Sequence, residues 1–247
     1  MAAKQKQQAN KATAKTPARN VRPVAAPALT STFQPGFWQH HWMPAALLMV
    51  LAFVLYGASI AYGYMLDDQL IIWQNAYVQK GFAGLGDIFA YDSFMGYFQK
   101  QQFLLEGGRY RPLSLATFAI EIGVFGKDNA NLTHISHFIN ILLYGATGIL
   151  LYRILLGLFP IKEGGRWFFS VPFIASVLFV LHPLHSECVA NIKGRDEILA
   201  LLGSLAALYA TLKYFDTRQT LWLILSGVFL LLGVLAKENA LTFLAVI

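Results

Sequence analysis

Acidic residues are missing from the first 42 positions of this 247-residue chain, which hold six basic side chains: Lys4, Lys6, Lys11, Lys15, Arg19 and Arg22. Charge is scarce throughout. Only 13% of residues are Asp, Glu, Lys or Arg, while 56% are apolar. Soluble domains carry about a quarter charged residues. The shortage excludes an ordinary soluble enzyme, and the apolar excess excludes a disordered chain. Cysteine is almost absent too. A single Cys188 excludes an internal disulfide and leaves the redox compartment unread. The formal net charge of +6 invites an acidic partner, yet positions 43–247 carry 13 basic and 13 acidic groups. The whole excess sits in the leading segment, which argues against a nucleic-acid binder.

What is present is apolar run after apolar run. Residues 1–42 read as a basic, flexible tail without apolar periodicity, closing on Phe37, Trp38, His40, His41 and Trp42. Aromatic rings just ahead of an apolar run are what a membrane interface selects. Met43–Tyr64 then gives 22 residues without a charge, enough to cross a hydrocarbon core of about 30 Å. A cleaved signal peptide is the rival, but the leader is too long and the run too extended. Further spans are expected at 132–158, 167–184, 197–215 and 221–236. A sixth run begins at Ala240 and reaches Ile247, too short to cross. The chain therefore reads as an all-α polytopic membrane protein, the N-terminal part of something larger, with 43–247 as its membrane domain. No internal repeat or soluble second domain is visible.

Residues 112–126 are apolar but short, and they carry Glu121. Counted as a span, they would place Arg153, Lys162, Arg166, Lys213 and Arg218 across the membrane from the tail. Left out, they put those five on the tail's side, against Lys193, Arg195 and Lys237 on the other. The positive-inside rule favours the second arrangement, with the tail cytoplasmic. Residues 65–130 then form one long extracytoplasmic loop bearing interfacial helices at 69–80, 84–105 and 112–126.

With that topology the ionisable groups gather at one membrane boundary, where by default they mark a functional site. Asp67–Asp68 follow the first span. They either end a helix at the water boundary or supply a general base or metal ligand. Two neighbours do not point the same way on a regular element, so one is expected in the site and one supporting it. His134/His137 and His182/His185 form two His-x-x-His pairs. With Glu187 they offer a metal set, though Pro183 breaks the second helix and hydrogen-bonded histidines are common at interfaces. Arg109, Arg111, Lys193 and Arg195 are either boundary anchors or a phosphate grip. For Arg195 the bland alternative is local pairing with Asp196 or Glu197.

The series Leu66-Asp67-Asp68, Arg109-Tyr110-Arg111-Pro112-Leu113, His134…His137, His182-Pro183-Leu184-His185-Ser186-Glu187, Gly194-Arg195-Asp196-Glu197 and Ala236-Lys237-Glu238 resembles a known family. It is similar to the transmembrane and tetratricopeptide-repeat O-mannosyltransferase-like proteins of the GT-C superfamily. The His-Pro-x-His-x-Glu…Gly-Arg-x-Asp/Glu block is the specific part, and the likeness covers residues 43–247. The resemblance implies a GT-C-like helical bundle that transfers a sugar, such as mannose, from a polyprenyl- or dolichyl-phosphate donor. The acceptor would be a protein or glycan on the extracytoplasmic or lumenal face. It implies Asp67 and Asp68 as base or metal ligand. Arg109, Arg111, Lys193, Arg195 and Lys237 would hold the donor phosphate. His182, His185, Glu187, Asp196 and Glu238 would shape the acceptor side. A divalent metal stays open, with Asp67, Glu187, His134 and His137 as candidates. Two other readings stand beside this one: a non-catalytic membrane scaffold or lipid-binding subunit, and a transporter. The transporter needs polar residues at mid-membrane, and few are present.

Overall fold

The computed structural model describes residues 33, 36–99, 109–162 and 164–247. The six leading basic side chains and Gly107–Gly108 lie outside them. Among the described residues every regular element is helical, in keeping with chain segments that must satisfy their own backbone in lipid.

Helix α1 (Phe37–Tyr56) runs on through a 3-10 turn to Ala61. Its buried residues Ala45, Leu48, Ala52 and Tyr56 recur three to four apart and form one face. Near its start the backbone at His41 leaves the helix (φ −123°, ψ 16°), and Pro44 follows inside the helix. Proline has no N–H for the carbonyl four residues earlier, so this turn is loosened. Then come the short helices α2 (Leu66–Asp68), α3 (Ala76–Gln79), α4 (Leu85–Ala90) and α5 (Met95–Phe98), and the longer α6 (Pro112–Phe125). Helix α7 covers Leu132–Leu158, α8 Val171–Val180, α9 His185–Ala190, α10 Arg195–Thr217 and α11 Thr220–Ala236. A last 3-10 segment covers Glu238–Ala245.

Contacts fix the directions of the long helices. His134 bonds the Ile60 carbonyl while His41 meets the Tyr152 hydroxyl at 3.0 Å, so α1 and α7 are antiparallel. Tyr144 reaches Val180 and Tyr152 packs on Phe173, so α8 runs against α7. Arg195 bonds Asn140 and Arg153 lies over Tyr209, so α10 runs alongside α7. Thr211 meets Ser226 at 2.7 Å across the α10–α11 hairpin. One end of the bundle thus collects residues 57–68, 132–137, 181–197 and 236–238. The other collects 36–41, 152–162 and 209–222.

Three segments are long and apolar enough to cross a membrane: Phe37–Ala61, Leu132–Leu158 and Ile192–Thr217. The runs expected at 167–184 and 221–236 appear as shorter apolar helices, α8 and α11. Helix α8 has 10 residues. Its rise of about 15 Å is half the hydrocarbon thickness. Pro172 sets its start, and Pro183 follows its end.

The loop between α1 and α7 has its own core. Ile71, Ile72, Val78 and Ile88 pack on Leu115, Phe118, Ala119 and Ile122 of α6. The helix expected at 84–105 is α4 plus α5, and residues 100–108 lie outside the described ones. Helix α6 lies across the end of the bundle rather than along it. Arg111, Thr117 and Glu121 span ten residues, yet all three reach Arg195 or Asp196.

Candidate functional site

The site is best read outward from residues 193–196, where α10 begins. Asn191 caps the preceding 3-10 turn by accepting from the Lys193 N–H, and Asp196 stands in the first turn of α10, where a negative charge complements the helix dipole. Gly194 is required there: a Cβ would fall 2.2 Å from the Cys188 carbonyl oxygen.

Asp68 is fully buried. Its carboxylate accepts from the Met65 N–H at 3.0 Å and from the Lys193 N–H at 2.7 Å. It therefore ties the loop after α1 to the start of α10. Burial pushes its pKa above the usual aspartate value, against the pull of those two N–H donors. Asp67 is different. Its side chain is half exposed, and its Oδ2 lies 2.6 Å from Lys193 Nζ. One lysine thus engages both aspartates, through its backbone and its ammonium.

Lys193 also lines a small pocket with Arg109, Arg111, Asp196, Ser93 and Phe94. The Arg109–Arg111 strip is anchored to the loop: Ser93 Oγ accepts from the Arg111 N–H, and the Tyr110 hydroxyl donates to the Phe89 carbonyl. Arg109 stacks over Phe94 at 5.5 Å. Arg111 forks, one arm on Asp196 at 2.6 Å and the other on Glu238 at 3.1 Å. Lys237 pairs with Glu197, and burial holds its pKa below the usual lysine value.

Arg195 stands apart from the expected phosphate grip. It is wholly buried, paired with Glu121 rather than with Asp196 or Glu197. It also donates to Asn140 Oδ1 (2.7 Å), Thr117 Oγ1 (3.1 Å) and the Ser136 carbonyl (3.0 Å), and stacks over Phe118. Those bonds occupy its fork within the protein. Glu121, Asn140 and Thr117 were not anticipated as its partners. The one signal was an acidic residue in an apolar stretch.

The histidines are not drawn into this cluster. His182 and His185 line a separate open groove with Phe179, Leu178 and Leu184. His185 Nδ1 is 2.8 Å from the Tyr144 hydroxyl, and burial lowers its pKa. Glu187 is exposed. His134 bonds the Ile60 carbonyl, and His137 is buried in α7 edge-on to Tyr62. Among the described residues no group of three or more His, Cys, Asp or Glu side chains is placed to hold a metal ion. The four metal candidates are thus not assembled. Burial raises the Cys188 thiol pKa, which disfavours the thiolate.

Fold and site together define an all-α integral membrane protein with a paired-charge face at one end of its bundle. Comparison with known sequences gives its relatives. The chain is 29% identical over 231 residues to the human protein O-mannosyl-transferase TMTC4, covering 87% of this chain and 29% of that protein. It is 30% identical over 213 residues to human protein O-mannosyl-transferase TMTC1 (82% and 23%). It is 29% identical over 195 residues to protein O-mannosyl-transferase F38B6.6 of Caenorhabditis elegans (79% and 26%). The chain is thus homologous, over most of its length, to the TMTC protein O-mannosyl-transferases. It spans less than a third of the length of these relatives. No family model and no solved structure matches it.

Proposed function

We propose that this chain forms the donor-side catalytic face of a membrane glycosyltransferase, moving mannose from a polyprenyl- or dolichyl-phosphate carrier to a protein or glycan hydroxyl. One observation carries the reading: Lys193 holds the half-exposed Asp67 carboxylate while lining the pocket with Arg109 and Arg111. A base and a phosphate grip are thereby joined through one side chain. The relatives' names supply the sugar.

In this reading Asp67 takes the proton of the acceptor hydroxyl. The acceptor oxygen bonds the sugar carbon from the opposite face, and the bond to the carrier phosphate breaks with inversion. The electron pair leaves on the phosphate, whose charge Arg109, Arg111 and Lys193 stabilise. Asp68 and Arg195 act as positioning residues, fixing the first turn of α10 from either side. Lys237 holds Glu197 in place, and Asp196 and Glu238 orient Arg111. His182, His185 and Glu187 lie on the acceptor side. The basic tail faces the cytoplasm and the site faces the extracytoplasmic or lumenal space.

Asp67→Asn tests the reading, using transfer from dolichyl-phosphate-mannose in membranes holding the protein. Transfer should fall by about 10²–10⁴-fold with expression and donor binding retained. Normal transfer by Asp67→Asn would remove Asp67 as the base, and no transfer by the wild type would leave the scaffold reading in possession. That reading has its own support, because Arg111, Lys193, Arg195 and Lys237 each already have a carboxylate partner.

A further inference from the structure

The end of the bundle remote from Asp67 holds a pocket that sugar transfer does not use. Its volume is about 120 Å³, and Phe33, Phe37, His40, His41, Arg153 and Ile161 are among the residues lining it. That is room for several waters or one compact anion. Among the described residues none of those lining it is acidic.

Arg153 lies 21 residues past Leu132 along α7, about 31 Å of helix. That equals the thickness of a hydrocarbon core. With one end of α7 at the candidate site, Arg153 reaches the opposite boundary. Its guanidinium is fixed between two rings, 4.8 Å from the Phe37 centroid and 4.9 Å from that of Tyr209. The Tyr209 hydroxyl takes one N–H of this guanidinium, and its remaining N–H groups are donors on the side chain that lines the pocket. Asp216, at this end of α10, acts electrostatically on Lys213 and Tyr209 and is not among the residues lining the pocket. His41 is held by Tyr152 at 3.0 Å, and His40 is exposed at the rim. Lys213 is close by, its Nζ 5.0 Å from the Phe33 ring centroid.

Beside the pocket, Trp38 and Trp42 of α1 are 60% and 58% exposed. Exposed indoles at a span's end are interfacial anchors, so the pocket opens at headgroup level. We infer that it binds a phosphate group, supplied by an anionic phospholipid headgroup. Free inorganic phosphate has the same chemistry without the interface.

The test uses the full chain in neutral detergent, with bound lipid counted by native mass spectrometry. The probes are short-chain phosphatidylglycerol, phosphatidylcholine and inorganic phosphate. Wild-type protein should retain phosphatidylglycerol over phosphatidylcholine. Arg153→Gln should cut that preference by roughly fivefold, the weight of one basic residue near a membrane surface, and Arg153→Lys should keep most of it. His40→Glu places a carboxylate on the exposed rim, where folding tolerates it, and should abolish the preference as well. Arg153-dependent binding of inorganic phosphate with no lipid preference would assign the pocket to the free ion. Equal retention of both lipids with no phosphate binding, or a preference that survives Arg153→Gln and His40→Glu alike, overturns the proposal.

Discussion

Removing the Glu121 carboxylate should damage this protein more than any surface change, and the structure allows the size to be worked out. The Arg195 side chain is completely buried and the Glu121 side chain is 7% exposed. Glu121→Ala leaves a buried guanidinium with neutral partners only. Breaking a buried pair from one side costs about 3–5 kcal/mol. Arg195→Met should cost a similar amount, since it strands Glu121 with only the Ser136 hydroxyl. Independent effects would give roughly 6–10 kcal/mol for the double variant. The double variant removes both charges, however, and an ion pair replaced by apolar groups is often near neutral. What remains is the loss of a donor by Asn140 Oδ1 and the Ser136 carbonyl, about 1–3 kcal/mol each. Glu121→Ala/Arg195→Met should therefore be no less stable than either single variant by more than about 1 kcal/mol, a coupling of roughly 4 kcal/mol. The assay is denaturant unfolding in detergent micelles, followed by tryptophan fluorescence. If Glu121→Ala unfolds like wild type, or if the two losses simply add, the pair is not the post that holds α6 across α10.

Three further outcomes follow from single contacts. Burial raises the folded-state pKa of Asp68 above its ordinary value of 3.8. The folded state then binds its proton more tightly than the unfolded one, so the contribution of Asp68 to stability is largest below 3.8 and declines as pH rises through the raised value. Across that window the melting temperature of wild type minus that of Asp68→Asn should fall as pH rises, which cancels the paired carboxylates common to both; a difference that rises there contradicts the sign. In a Cys188→Ser background, Asp128→Cys should react with a membrane-impermeant maleimide on intact cells and Lys162→Cys only after permeabilisation. The reverse pattern inverts the proposed orientation, and equal labelling removes the span between them. At Gly203 a Cβ would sit 2.8 Å from Gly233 Cα and 2.9 Å from the Phe229 carbonyl, so Gly203→Ala should lower stability by about 1–3 kcal/mol through overpacking of α10 against α11. A melting temperature matching wild type would mean that the hairpin relaxes freely.

The gathering of charge at one end was legible because successive apolar runs reverse the chain direction, so alternate loops share an end. Asp67, Arg111, Lys193 and Lys237 fall together for that reason alone. The separate fates of Asp67 and Asp68 were legible as a principle, since neighbours diverge, but not as an assignment. Which one is buried depends on the Lys193 N–H, 125 residues away. Arg195 was not legible. At a boundary, arginine reads as an anchor or an anion grip, and only the tilt of α6 across the bundle brings Glu121 to it. The length of α8 was also hidden. Hydropathy integrates over 167–184 without registering that proline ends a helix whatever its polarity.

In the proposed reading, the charge pairs divide by what each would do when a phosphate arrives. Arg195 and Glu121 are sealed, so they brace the site and do not answer to a ligand. Arg111 holds the buried Asp196 with one arm and Glu238, whose side chain is 60% exposed, with the other. The first contact fixes the guanidinium plane. The second is solvent-screened and worth about 0–1 kcal/mol. A donor phosphate would compete with Glu238 for the outer arm at small expense, while Asp196 would keep the inner one aligned. Lys193 shows the same division. Its backbone N–H stays on Asp68, while its ammonium is free to exchange the half-exposed Asp67 for a phosphate oxygen. That exchange would release the Asp67 carboxylate when a leaving group is in place, coupling donor binding to the freeing of the base. A site built of paired charges is in this sense not a spent one. Its buried contacts set geometry, and its exposed contacts are those a phosphate would displace.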